Sequence, residues 1–239
     1  MTDPGPRKGN NQDSLIAVIP DEQPEMALLV VADGMGGAKG GEIASQQTIR
    51  VMQEHLLDGN LPAPDETPRR IEEAITAANA LVHRMGNTSP DMQGMGCTVV
   101  VALVIGDQYW IANVGDSRAY LIRDRVPSQI TLDHTWVRQQ VREGVLTEEQ
   151  AAEHSLRHVL ERAIGAESHV NIDINERATL QVGDSILLCS DGLYGVLSDI
   201  TMADVTSEHP PQEAAEQLIQ YALSAPARDN VSVIILRAQ

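Results

Sequence analysis

Five aspartates stand at the ends of apolar runs, where a carboxylate is costly to desolvate unless something positive sits beside it. Asp13 opens a run in NNQDS, Asp33 ends one in LLVVADGMGG, and Asp116 lies in the turn of ANVGDSR. Asp191 ends a run in LLCSDG and Asp229 precedes one in RDNVSVII. Strand ends from distant parts of a chain can converge at one edge of a sheet sandwich, and carboxylates gathered there raise one another's pKa unless cations are bound. An all-oxygen donor set selects hard ions. Asp carboxylates, a backbone carbonyl at Gly34 and waters suit octahedral Mg²⁺ or Mn²⁺, whereas a zinc site would show His and Cys at close spacing. Two such ions about 3.5–4 Å apart can share a carboxylate and a hydroxide, a nucleophile for in-line attack on phosphorus. The chemistry predicted is phosphoester hydrolysis. Any one of these aspartates alone reads as a turn residue. Runs such as LLVVAD and ILLCSD, each carrying a carboxylate out of a core, make the set a functional-site candidate.

The elements that must position them read as strands and helices in mixed order. Ser14–Ile19 and Met26–Ala32 form a hairpin across PDEQPE. Glu42 to about Leu57, and a stretch opened by Thr67 and Pro68, carry apolar residues at helical spacing. Cys97–Ile105, Tyr109–Val114 and Ala119–Arg123 read as an antiparallel meander turning at Gly106-Asp107 and Gly115-Asp116. Asp133 to Gly165 is polar and helical in propensity, with a capping box at Thr147 and Gln150, and interrupts the sheet. Strands resume at Val170–Asn175, Ser185–Cys189 and Val231–Leu236, with a helix over Pro211–Leu223. Runs of strands separated by paired helices indicate α+β layers. The expectation is one domain over residues 1–239: antiparallel sheets face to face, with helices covering the outer faces.

The 239 residues carry 17 Lys and Arg against 34 Asp and Glu, a net charge of −17. That excess repels phosphate backbones and anionic headgroups, which argues against a nucleic-acid or membrane binder. With 42% hydrophobic and 21% charged residues the composition is that of a globular chain. Cys97 and Cys189 read as buried free thiols of a reducing compartment. No apolar run reaches bilayer-spanning length, so the expectation is a soluble, cytoplasmic protein.

RKGNNQD, ADGMGG followed by GGE, the GCT of residues 96–98, ANVGDSR, CSDGL and RDNVSV resemble, in order and spacing, the motifs of the metal-dependent protein phosphatases, the type 2C serine/threonine phosphatases. The resemblance runs from Thr2 to about Leu236. It implies a four-layer α-β-β-α sandwich with two central antiparallel sheets. It also implies hydrolysis of phosphoserine and phosphothreonine with two Mn²⁺ or Mg²⁺ ions, often with a third in bacterial members. On this pattern Asp33 looks like the carboxylate bridging both metals, the Gly34 carbonyl a ligand of one, and Asp191 and Asp229 ligands of the other. Asp13 resembles the carboxylate that orients metal-bound water, and Asp116 with Asp191 the third site. The segment 133–165 resembles the flap of bacterial members. The implied partners are phosphorylated proteins and a cognate serine/threonine kinase, acting on a monomer.

Three features depart from the family. Lys8, with Arg7 beside it, stands where an Arg grips the phosphate, and Lys offers a point charge without the bidentate fork. Ala38 stands where many bacterial members have a His, so the leaving-group proton must come from metal-bound water or another residue. The chain also starts almost at the first motif. Lys8 and Ala38 keep a second reading open, a non-catalytic phosphoprotein-binding module that retained the fold. Other signals are weak: the glycines after Asp33 fit neither a dinucleotide nor a P-loop pattern, and His154 and His158 read as a solvated helix face.

Overall fold

The computed structural model describes residues 1–6, 9–36, 40–88, 90–225 and 229–239. Its strands are Thr2–Asp3 (β1), Asp13–Val18 (β2), Met26–Met35 (β3), Gly96–Cys97 (β4), Val99–Ile105 (β5), Gln108–Val114 (β6), Arg118–Arg123 (β7), Val126–Gln129 (β8), Asp173–Ile174 (β9), Ala178–Thr179 (β10), Ser185–Cys189 (β11) and Val231–Arg237 (β12). Its helices are Gly40–Leu57 (α1), Thr67–Thr88 (α2), Trp136–Arg142 (α3), Glu148–Glu153 (α4), Asp191–Tyr194 (α5), Asp199–Glu208 (α6) and Pro211–Ser224 (α7). All strand pairings are antiparallel. One sheet runs β1-β12-β11-β7-β8; the other runs β10-β6-β5-β3-β2, with β4 on β3 and β9 on β6.

Alternation along buried strands sorts the side chains into layers. Leu28, Val30, Val101 and Leu103 pack with Met52, Leu56, Ile71 and Ile75 of α1 and α2. Their neighbours Leu29, Val31, Val100 and Ala102 face the other way, onto Ile186, Leu188 and Ile234 of the second sheet. Leu187, Cys189 and Val233 of that sheet then pack under Met202, Leu218 and Ile219 of α6 and α7. The result is the expected four-layer α-β-β-α sandwich. The runs LLVV, VVVALV and SILLC are apolar on both sides because both faces of each sheet are covered. Both cysteines are buried and free.

Several local expectations change. Arg118–Arg123 is not the third strand of a meander: β6 belongs to the seven-stranded sheet, and β7 pairs with β11 in the other. The turn at Gly115 crosses between sheets, held at φ +100°, and a Cβ there would lie 2.6 Å from the Thr98 side chain. The insert 133–165 is less helical than its propensity, with two short helices followed by an irregular return. The capping box forms as expected, with Thr147 Oγ1 accepting from Gln150 N–H and the Gln150 side chain accepting from Thr147 N–H. The strand over 170–175 shortens to β9. β8 escaped the pattern because it is a four-residue strand containing Pro127, tolerable only at a sheet edge, where it lies. Among the described residues no helix is long and apolar enough to cross a membrane.

Leu188 is fully buried in the layer between the sheets. Leu188→Ala should cost about 2–5 kcal/mol in urea unfolding, whereas Val126→Ala, at a side chain 61% exposed, should leave the midpoint unchanged. A Leu188→Ala cost no larger than that of Val126→Ala would show that the two sheets do not close-pack.

Candidate active site

Asp13 and Asp33 lie directly opposite each other in the β2–β3 ladder. They share the parity of Leu15, Leu29 and Val31, so alternation turns both toward the space between the sheets. Gly34 follows, wedged so closely that a Cβ would meet the Gly41 carbonyl at 2.1 Å. The second sheet contributes Asp191, in the first turn of α5 directly after β11, and Asp229, just before β12. Asp116 sits on the crossover between the sheets. Asp33, Gly34, Asp116, Asp191 and Asp229 line one cleft of about 950 Å³.

The carboxyls repel. Burial pushes Asp33 well above the usual carboxylate range, and Asp13, Asp191, Asp116 and Asp229 push it further. Asp13 is raised to about 6, chiefly by burial; hydrogen bonds from Ser232 and Ser190 hold it down, and Asp191 and Asp229 raise it. Asp116 is raised to about 7 by burial and then by Asp191 and Asp133, against a hydrogen bond from Tyr194. Asp13 Oδ1 is buried with no hydrogen-bond partner among the described residues. Buried like charges and an orphaned carboxylate oxygen are what a site looks like when its cation supplies the missing interaction.

The donor set fits a particular kind of ion. Among the described residues no three His, Cys, Asp or Glu side chains close up into a ready-made cage. The donors that line the cleft are oxygens, the carboxylates of Asp33, Asp116, Asp191 and Asp229 with the Gly34 carbonyl beside them, and these suit Mg²⁺ or Mn²⁺, which keep several waters and take only one or two carboxylates directly.

Hydrogen bonds hold the carboxylates in place. Thr98 Oγ1 accepts from Asp33 N–H at 3.0 Å, Thr98 N–H donates to the Asp33 carbonyl at 2.8 Å, and the Thr98 hydroxyl lies 2.7 Å from that of Ser117, beside Asp116. Ser190 Oγ donates to Asp13 Oδ2 at 2.8 Å and accepts from Ser232 N–H at 3.0 Å. Asn230 N–H donates to Asp229 Oδ1 at 2.8 Å. Arg118 grips Asp133 with two bonds of 2.9 and 2.7 Å and lies 3.7 Å from the centroid of the Tyr194 ring.

The insert is pinned at its root. Gly115 N–H donates to Nδ1 of buried His134 at 3.1 Å, and His134 Nε2 is 3.2 Å from Asp173 Oδ2. Burial lowers the pKa of this histidine against the bond to Asp173, which raises it, and because Nδ1 accepts from Gly115 the neutral ring carries its proton on Nε2, facing Asp173. From this root the insert returns along the cleft, which Arg157, His158 and Arg162 also line. His154 ends α4 and His158 lies beyond it, so the pair does not share a helix face; His158 Nδ1 is 3.9 Å from Asp191 Oδ2. Spacing gave no hint of these cleft residues; the only signal was the position of a polar insert between two site strands. Arg7, Lys8 and Ala38 lie outside the described residues.

Residues 7–230 match the family described as Protein phosphatase 2C. The serine/threonine protein phosphatase PstP of Mycobacterium tuberculosis is 36% identical over 235 residues, 98% of this chain and 43% of that protein. The chain thus spans less than half the length of that relative. The serine/threonine phosphatase stp of Listeria monocytogenes is 32% identical over 237 residues, 98% of this chain and 93% of its own length. A crystal structure of the PstP catalytic domain in complex with two manganese ions superposes with a TM-score of 0.83 at 33% identity, over 98% of this chain and 94% of that one. With its motifs, its layers and its carboxylate edge in agreement, the chain belongs to the protein phosphatase 2C family.

Proposed function

We propose that this chain hydrolyses phosphoserine and phosphothreonine on proteins with two Mn²⁺ or Mg²⁺ ions held at the carboxylate edge. The observation that carries the reading is the convergence of Asp33, Gly34, Asp116, Asp191 and Asp229 on one cleft, with Asp13 directly opposite Asp33 in the ladder. Asp33 would bridge the two ions, the Gly34 carbonyl would join it on one, and Asp191 and Asp229 would hold the other. Asp13 would orient a water in the shell of these ions. Asp116 with Asp191 would take a third, weaker ion. When bound, such a pair supplies an activated water at neutral pH. The chain's own residues hold the ions, exclude bulk water from the layer beneath them and present positive charge to the substrate from Arg157 at the cleft. Arg7 and Lys8 are assigned to phosphate binding on the motif alone. Phosphoproteins as substrates, a cognate kinase as counterpart, a monomeric state and a cytoplasmic setting complete the proposal.

Asp33→Asn and Asp191→Asn should each abolish turnover of p-nitrophenyl phosphate at saturating Mn²⁺, because each removes a carboxylate that holds the ion pair. Wild-type-like turnover in either would overturn the assignment. Lys8→Ala should raise KM more than it lowers kcat, and Lys8→Arg should retain activity. Greater damage from Arg7→Ala would transfer the phosphate contact to Arg7.

Protons and metal compete for the same oxygens. The raised folded pKa of Asp116 means that its stabilising contribution without metal is fully present below its ordinary 3.8 and is lost as pH rises through about 7. Asp116→Asn should therefore stabilise the chelated protein at pH 8, by on the order of 1–3 kcal/mol, and the gain should shrink toward pH 5. Melting curves in chelator check this, and a gain independent of pH would show that no repulsion acts on Asp116.

A further inference from the structure

The candidate ligands are divided between two sheets: Asp13, Asp33 and Gly34 belong to one, and Asp191 and Asp229 flank strands of the other. The layer joining the sheets is apolar, and apolar attraction has no direction. Directional bonds must therefore set the spacing between the half-sites. Ser190 supplies one, to Asp13, and Asn230, fully buried at the head of β12, supplies a group of them. Its Oδ1 accepts from Gln12 N–H at 2.8 Å. Its Nδ2 donates to the Pro4 carbonyl at 2.8 Å and the Asn10 carbonyl at 3.2 Å, so both amide hydrogens are used. Its backbone N–H meanwhile fixes Asp229.

Gln12 carries the connection into the other sheet. Its carbonyl accepts from Gly34 N–H at 3.1 Å and from Ser45 Oγ at 2.6 Å, and its side-chain amide donates to the Gly36 carbonyl at 3.2 Å. A continuous path thus runs from Asp229 through Asn230 and Gln12 to Gly34, with Asp13 the next residue along the chain.

We propose that Asn230 is a positioning residue whose carboxamide sets the spacing between the two half-sites and thereby the affinity for the pair of divalent ions. This rests on the function proposed above. Only a carboxamide serves: aspartate would keep the Oδ1 acceptor but turn an oxygen toward two carbonyls, and alanine would release both bonded loops.

The test is calorimetric titration of the metal-free chain with Mn²⁺, for wild type, Asn230→Asp, Asn230→Ala and a control, Asp184→Asn. Asp184 is buried at the opposite end of β11, bonded to Arg123 and Gln181 N–H, so its loss destabilises the fold away from the site. Asn230→Asp should weaken the tight Mn²⁺ events by about tenfold or more. Excess Mn²⁺ should restore kcat, with KM for p-nitrophenyl phosphate unchanged. Asn230→Ala carries the same expectation should the aspartate variant fail to fold. Asp184→Asn should lower the melting temperature and keep wild-type Mn²⁺ affinity. Wild-type affinity in either folded Asn230 variant, or equal weakening in Asp184→Asn, would overturn the proposal. Absence of Mn²⁺ binding by the wild type would overturn the proposed function itself, and the positioning role with it.

Discussion

Electrostatic repulsion among partly desolvated aspartates at one end of the sandwich is the constraint the rest of the molecule accommodates. Like charges a few ångströms apart in a poorly solvated place favour unfolding or protonation unless a counter-charge is present. The protein offsets part of that cost with neutral donors: Ser190 on Asp13 and Tyr194 on Asp116. Arg118, a half-buried cation in this region, is committed to Asp133 by two bonds and to the Tyr194 ring. The remaining negative charge is left for ions to neutralise.

Each of these supports also ties two pieces of chain together. The Thr98 hydroxyl joins the Asp33 backbone N–H of β3 to Ser117 of the crossover turn. Arg118 joins that turn, the root of the insert and α5. His134 joins the turn to β9. The polar insert is therefore anchored where it leaves the sandwich, and its exposed residues, such as Val145 and Leu156, belong to its outer part. Rigid support beneath a solvated cover is a common arrangement where a large substrate must approach a fixed site.

Much of this was legible in the residues. The strands LLVVAD and SILLC and the helix over Pro211–Leu223 announce themselves by composition and period, and the five aspartates by their place at the strand ends. What the pattern could not show was which sheet a strand joins. β7 alternates as a meander strand would; the positive-φ backbone at Gly115, where a Cβ would collide with Thr98, sends it across the gap. Long-range bonds were equally silent. Asn230 and Ser190 look like loop polar residues, and their importance comes from partners 218 and 177 positions away. The insert misled because propensity favoured helix, while the bonds at its two ends bent the returning segment into an irregular path along the cleft.

Those separations carry a kinetic consequence. Closing loops of this size must precede any reward from the contacts they enable, so topologies dominated by distant pairings fold slowly. Neither half of the carboxylate set is complete in a chain with only one sheet formed. The two hairpins, β2–β3 and β5–β6, can assemble locally, but the Asp13–Ser190 and Gln12–Asn230 bonds need the first and last tenths of the chain or its final quarter in place. A divalent ion consequently gains little from early intermediates and binds the docked sandwich, so metal uptake during refolding would report the final docking of the two sheets.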